Sequence, residues 1–263
     1  MKSTAITLLT DFGTADHYAA AMKGVILGIA PDARITDITH EIRPYAITEA
    51  AYTLAQAWTC FPEGTVHLVV VDPGVGSARR PIVAETAGHY FVAPDNGVLT
   101  LVLENARVHE VTSSRLFRQP VSRTFHGRDI FAPVAAHLAN GVAVDEMGPR
   151  VENYARLDIA SPVQTASGWR GRILKVDRFG NLITNFQSDQ WLPRIARGFE
   201  MTLGQARVSR VVSKVVSNYA DAGEGLFVIP GSAGFLEVSA RQTSAARIAG
   251  IESGDVVELR AAL

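Results

Sequence analysis

The apolar run Val66 to Val71, VHLVVV, closed by Asp72 and a Pro-Gly turn, constrains this chain most. A short, mostly apolar segment bounded by turn residues reads as a buried strand, the kind that open α/β sheets place at their centre. An acid just past the end of such a strand sits where these sheets put their chemistry, because strand ends are rigid and the loops beyond them meet ligand. That combination points to a small-molecule enzyme.

The surrounding pattern alternates in the way a mostly parallel sheet requires. Ala5 to Thr10 reads as a strand ending at Asp11-Phe12-Gly13, and Asp16 to Ile29 as a helix closed by Pro31. Arg34 to Ile38 follows as a strand, Ile47 to Cys60 as a helix, and Thr65 to Val71 as the third strand. Pro81 to Glu85 and Tyr90 to Ala93 read as a strand pair, with helices at 98–105 and at Asp129 to Asn140. Near SPVQTASG, residues 161–168, the pattern changes to short strands with frequent Gly, including GRILKVD, NLITNF, GLFVIP, GFLEVS and DVVELRA. The expected organisation is an α/β domain over 1–160, a linker over 161–167, and a small all-β domain over 168–263.

Composition narrows the function. The 263 residues are 47% hydrophobic, ample for two cores, and 25 Lys and Arg against 26 Asp and Glu leave no global positive field for nucleic acid. The one cysteine, Cys60, excludes an intramolecular disulfide and any CxxC site, which fits a reducing cytoplasm. MKSTAITLLTDFG is interrupted too soon for a signal peptide, and no run approaches membrane-spanning length, so a soluble cytoplasmic protein without membrane partners is expected.

Several residues stand where chemistry is possible. Asp11 can accept two hydrogen bonds from vicinal hydroxyls such as those of a ribose, or it can cap the following helix. The Asp-Phe-Gly tripeptide also occurs in protein kinases, but no Gly-rich ATP loop or HRD segment accompanies it. Past Asp72 the GxG leads toward a strand instead of a helix, which argues against a phosphate loop. Arg79 can fold back onto Asp72 as a permanently charged partner, or form a surface ion pair. His126, in the loop TFHGRDIF, can reach a pocket at the sheet edge or simply bond backbone. The remaining histidines show no metal-binding spacing, so no metal is expected. In KVDRFGNLITNF, Asp177, Phe179 and Asn181 flank a tight turn that offers a carboxylate, an aromatic face and an amide, or is only an Asx-type hairpin turn. Ser232 and Tyr219 lie in further Gly-rich turns.

Taken in order, TDFG (10–13), DITHEI (37–42), FPEGTVHLVVVDPGVGS (61–77), APDNGVL (93–99), TFHGRDIF (124–131), DRFGNLITN (177–185) and PGSAGFLEV (230–238) resemble one family. It comprises the S-adenosylmethionine hydroxide adenosyltransferases, or adenosine-forming S-adenosylmethionine hydrolases, relatives of the fluorinase and chlorinase enzymes. The resemblance implies an α/β domain, a barrel-like β domain, and a homotrimer with the active site at a subunit interface. It implies no cofactor, since S-adenosylmethionine is the substrate.

By position, the resemblance makes Asp72, Arg79 and His126 the hydrolase triad. Asp11 is matched to the ribose diol, Asp177 and Ser232 to the methionine end, and Phe179, Asn181 and Tyr219 to the adenine pocket. Tyr45 occupies the place of a ring that flanks the ligand in the halogenases. Those halogenases carry Tyr where this chain has Asp72; a carboxylate there repels halide and accepts a hydrogen bond from water, so hydrolysis is favoured over halogenation. A non-catalytic S-adenosylmethionine or adenosine sensor is the other alternative, but it does not require the triad intact. Arg241 stands where many relatives have Asn, which bears on the side-chain contacts at that edge of adenine.

Overall fold

Four strands set the first sheet: β1 (Ala5–Thr10), β2 (Arg34–Thr39), β3 (Val66–Val70) and β5 (His89–Pro94) are joined by parallel pairings. β4 (Pro81–Thr86) and β6 (Arg107–Glu110) add antiparallel pairings, giving the order β2-β1-β3-β5-β4-β6. Every residue of β3 is buried, and His67, the one polar residue in the run, is matched by the Thr7 hydroxyl at 2.8 Å. Ile6, Leu8, Val66, Leu68 and Val70 pack on α1 (Tyr18–Ile29) and α3 (Ala132–Ala139), while Leu9, Val69 and Val71 share a second cluster with α2 (Ile47–Ala57). Period-two alternation along the strands thus feeds two cores, one per face.

The structure is a computed structural model describing residues 4–159, 161–204 and 210–262, and the chain divides into units 1–157 and 158–263. Ala160, the expected end of the first domain, lies outside the described residues. The segment 161–167 contains a short strand, β7 (Val163–Thr165), which pairs with β8 (Gly168–Val176).

In the second unit β9 (Leu182–Gln187), β10 (Phe199–Leu203), β11 (Arg210–Val212), β12 (Leu226–Pro230), β13 (Phe235–Ala240) and β14 (Val256–Ala261) join β7 and β8 in one antiparallel sheet. Its order is β11-β10-β14-β8-β9-β13-β12, a nearly closed, barrel-like arrangement around Phe186, Trp191, Met201 and Val238. Two short helices, α4 (Ser188–Ile195) and α5 (Ala245–Ala249), complete it.

Three local expectations change. The segment 98–105 forms a single 3₁₀ turn, Thr100–Val102, because Val98, Leu99, Val102 and Leu103 are all drawn into the α2-side core and Asn105 leaves the helical region at φ 53°. α1 begins at Tyr18 instead of Asp16. The helix expected at Asp129–Asn140 starts as a π-turn, Gly127–Phe131, before α3. A π-turn is a geometry often found at functional sites.

Candidate active site

β1 connects to β2 on one side of the sheet, while β3 lies on the other side of β1. The crevice past their carboxyl ends is the topological switch point of an open sheet, where ligands bind. Thr10 pairs with Val70, so Asp11 and Asp72 both emerge there, one and two residues past that pair. Asn96 anchors this end by donating from Nδ2 to the Val71 carbonyl (2.9 Å), a role the APDNG turn did not announce.

The loop after β3 returns Arg79 onto Asp72. Its Nε donates to both carboxylate oxygens at 2.9 Å, and Nη2 donates to Oδ2 as well. The side chains are only 9% and 6% exposed, so this is no surface pair. Arg79 also stacks its guanidinium 5.0 Å above the Phe131 ring and donates from Nη2 to His126 Nδ1 at 2.9 Å. Carboxylate, guanidinium and imidazole therefore form one chain of hydrogen bonds. The loop closes because Gly76, at φ 78°, brings its α-carbon against the Arg123 carbonyl; an added Cβ would stand 2.5 Å from that oxygen.

His126 is held by an acid that the sequence reading passed over. Asp129, fully buried in the π-turn, accepts from the Ser122 amide (2.9 Å), Arg118 (3.1 Å) and Arg128 (2.7 Å), which pins the loop carrying His126. Burial alone would raise its carboxyl, but the Arg128, Ser122 and Arg118 hydrogen bonds hold it below the ordinary range. The FHGRD segment offered the signal: an acid three residues past the histidine, beside an arginine. For His126 itself, burial first and Arg79 second push the ring below the ordinary histidine range, with Asp72 and Asp129 opposing. Arginine has no lone pair, so Nδ1 is the acceptor and the neutral ring carries its hydrogen on Nε2.

Asp11 does not cap α1, whose N-cap position is His17. Its Oδ2 accepts the Tyr45 amide at 2.8 Å, and Tyr45 adopts φ 68°, an uncommon conformation for a residue with a side chain. The Tyr45 ring is 72% exposed. Burial pushes the Asp11 carboxyl up, the Tyr45 and Asp11 amides oppose, and the Asp72 charge adds to the rise. The two acids thus share one crevice with Arg79 and His126.

The other expected residues gather in the second unit, around a pocket of about 1220 Å³ in which Asp177, Phe179, Asn181, Tyr219 and Ser232 all take part. Asp177 Oδ1 accepts the Phe179 amide (2.9 Å) and the Asn181 amide (2.8 Å), while Oδ2 accepts Asn181 Nδ2 (2.8 Å). The Asx-turn geometry is therefore present, and Asp177 and Asn181 line the pocket as well as making the turn. Asn181 is buried, whereas Phe179 is 79% exposed and Tyr219 48%. Arg241 lines the same pocket. Glu237, buried among these residues, escaped the sequence reading because GFLEV looked like an ordinary strand.

An α/β unit with a carboxylate–guanidinium–imidazole chain at its switch point, joined to a barrel-like unit with an aromatic and amide pocket, defines a two-domain small-molecule binding protein with a reactive-group cluster. Residues 6–148 match the SAM hydroxide adenosyltransferase N-terminal domain and residues 171–258 its C-terminal domain, where SAM is S-adenosylmethionine. The chain belongs to the SAM hydroxide adenosyltransferase family.

It is 38% identical over 269 residues to an (R)-S-adenosyl-L-methionine hydrolase of Thermus thermophilus, covering 97% of this chain and 98% of that one. A fluorinase of an Actinoplanes species is 29% identical over 252 residues, covering 83% and 84%. A crystal structure of an uncharacterized conserved protein from Thermotoga maritima superposes with TM-score 0.87 at 40% identity, covering 97% and 99%. Among the described residues no helix is long and apolar enough to cross a membrane.

Proposed function

We propose that this protein hydrolyses S-adenosylmethionine to adenosine and methionine by in-line attack of water on the ribose C5′. The observation that carries the reading is the Asp72–Arg79–His126 chain at the end of β3, beside Asp11. The name of the Thermus relative, at 38% identity over nearly the whole chain, supports it, and the fluorinase likeness is weaker.

In this reaction water oxygen bonds to C5′ as the C5′–S bond breaks, and the bonding pair leaves on sulfur to give the neutral thioether of methionine. The leaving group needs no proton, so the protein's work lies with the nucleophile. Water donates one hydrogen to Asp72 and accepts from His126 Nε2–H. As the C–O bond forms, Asp72 takes the proton and passes it to solvent, since His126 Nδ1 is already engaged by Arg79. Arg79 fixes Asp72 through its paired donors and stabilises the nascent hydroxide. Asp11 holds the ribose diol. Phe179, Asn181 and Tyr219 take the adenine, and Asp177 and Ser232 take the methionine end. S-adenosylmethionine is substrate, and the reaction as written needs no cofactor.

The working form in this proposal is a cytoplasmic homotrimer, in which the switch-point crevice of one subunit is completed by the β-domain pocket of another. In that assembly the exposed rings of Tyr45 and Phe179 would lie against the substrate and the neighbouring subunit. The test is incubation with a mixture of both sulfonium epimers in the presence of chloride or fluoride, with products separated by chromatography. Adenosine and methionine are expected, with the (R) epimer consumed, as in the name of the Thermus relative. Accumulation of halo-deoxyadenosine instead would make the protein a halogenase, and binding without turnover would make it a sensor.

A further inference from the structure

Glu237 sits in β13, where Leu236, Val238 and Ala240 enter the core of the second unit. Alternation therefore turns Glu237 and Ser239 to the opposite face. Glu237 is only 8% exposed, yet it lines the pocket that also takes in Asp177, Tyr219 and Ser232. The turn Pro230–Ser232 is laid directly over its carboxyl: a Cβ on Gly231 would overlap Glu237 Oε1, so glycine there makes room for the acid. Ser239 Oγ, two residues along the same face, is fully buried near the Tyr219 hydroxyl and makes no hydrogen bond of good geometry among the described residues.

A buried acid is ordinarily matched by a cation of the chain. Among the described residues, none of the groups acting on Glu237 is one: they are the Asp177 carboxylate and the Tyr219 hydroxyl. Burial first and the Asp177 charge second push the Glu237 carboxyl up, with the Tyr219 hydroxyl opposing. Two carboxylates thus line one pocket; Arg178, Arg241 and Arg247 line it too, but none of them is ion-paired with Glu237 or Asp177 among the described residues, so the two acids are open to a cation that a ligand brings. The purine amine is neutral and does not supply one. A sulfonium carries no hydrogen to donate. An ammonium group is compact, charged and has three donors, which suits a site between two acids.

We propose that Glu237 binds the α-ammonium group of the substrate's methionine half, acting with Asp177 as a carboxylate pair on one wall of the pocket. This rests on the reading of S-adenosylmethionine as substrate. It makes the buried acid a recognition element for an amino acid and gives Gly231 a reason to be glycine.

The test compares Glu237→Gln with the unaltered protein on three substrates: S-adenosylmethionine, its deamino analogue, and the analogue with hypoxanthine in place of adenine. Glu237→Gln is expected to lower kcat/KM for S-adenosylmethionine roughly 10- to 100-fold, mainly through KM. The two proteins are expected to process the deamino analogue within about twofold of each other, since the group that Glu237 grips is then missing. Equal losses on all three substrates would reduce Glu237 to a structural role, and a loss that vanishes only with the hypoxanthine analogue would make it a purine reader; either overturns the inference. Should Glu237→Gln fail to fold, Glu237→Asp keeps the charge and decides the matter: preference for S-adenosylmethionine over the deamino analogue must persist. If the unaltered protein forms no adenosine from S-adenosylmethionine, the functional reading itself falls; if it does and Glu237→Gln matches it, only this inference falls.

Discussion

Arg79→Lys lowers adenosine formation by about two orders of magnitude, chiefly in kcat. One guanidinium makes every contact in the cluster: Nε and Nη2 to Asp72, Nη2 to His126, and its face on Phe131. A lysine ammonium offers three donors from a single point and cannot span a carboxylate and an imidazole while lying flat on a ring. Asp72→Ala and His126→Ala are expected to cost about as much, and combining them with Arg79→Lys adds little, because groups that act as a unit are not additive. Steady-state assay of adenosine release checks this, and near-unaltered turnover in all three variants would remove the cluster from the mechanism.

The same geometry fixes the acid limb of the pH profile. Nδ1 accepts from Arg79 only while the ring is neutral, and burial with Arg79 holds the ring neutral to a lower pH than an ordinary histidine. Activity is therefore retained as pH falls through the usual histidine range and is lost at more acid pH, when His126 takes up a proton and breaks the chain. In Arg79→Ala one of the two depressing causes is gone, so the residual activity is lost at a higher pH than in the unaltered protein.

Asp11→Ala lowers kcat/KM roughly 10²- to 10³-fold, the cost of two hydrogen bonds from the ribose diol to a charged acceptor. The loss has a signature: a 2′- or 3′-deoxy substrate is a poor substrate for the unaltered protein but no worse than S-adenosylmethionine for Asp11→Ala. Asp11→Asn separates the diol from the loop, because its amide oxygen still accepts the Tyr45 amide while its NH₂ group cannot accept from a hydroxyl. A variant that leaves these ratios unchanged would free Asp11 from ribose recognition.

Asp72 and Arg79 were legible because the chemistry lies within one turn: a strand end, a Pro-Gly reversal and a cation seven residues on. His126 was not legible from spacing, since it reaches Arg79 across 47 residues and only the ordered set of motifs linked them. The central strands stood out because apolar residues dominate them, whereas β6 shows only four residues, RVHE, with no period to read. Pro193 inside α4 hid a helix that its amphipathic face nevertheless stabilises against Trp169 and Phe186. Glu237 and Asp129 were missed for a common reason. A buried acid is revealed by its neighbours in space, and local sequence gives no sign of whether those neighbours are cations, amides or another acid.

One bond defines the reaction, between a water oxygen gripped by this cluster and C5′ of the nucleoside. Turnover of S-adenosylmethionine in ¹⁸O-labelled water, with mass spectrometry of both products, tests it directly. The prediction is one labelled oxygen in the 5′-hydroxyl of adenosine and none in methionine. Unlabelled adenosine, or labelled homoserine accompanied by methylthioadenosine, would contradict it.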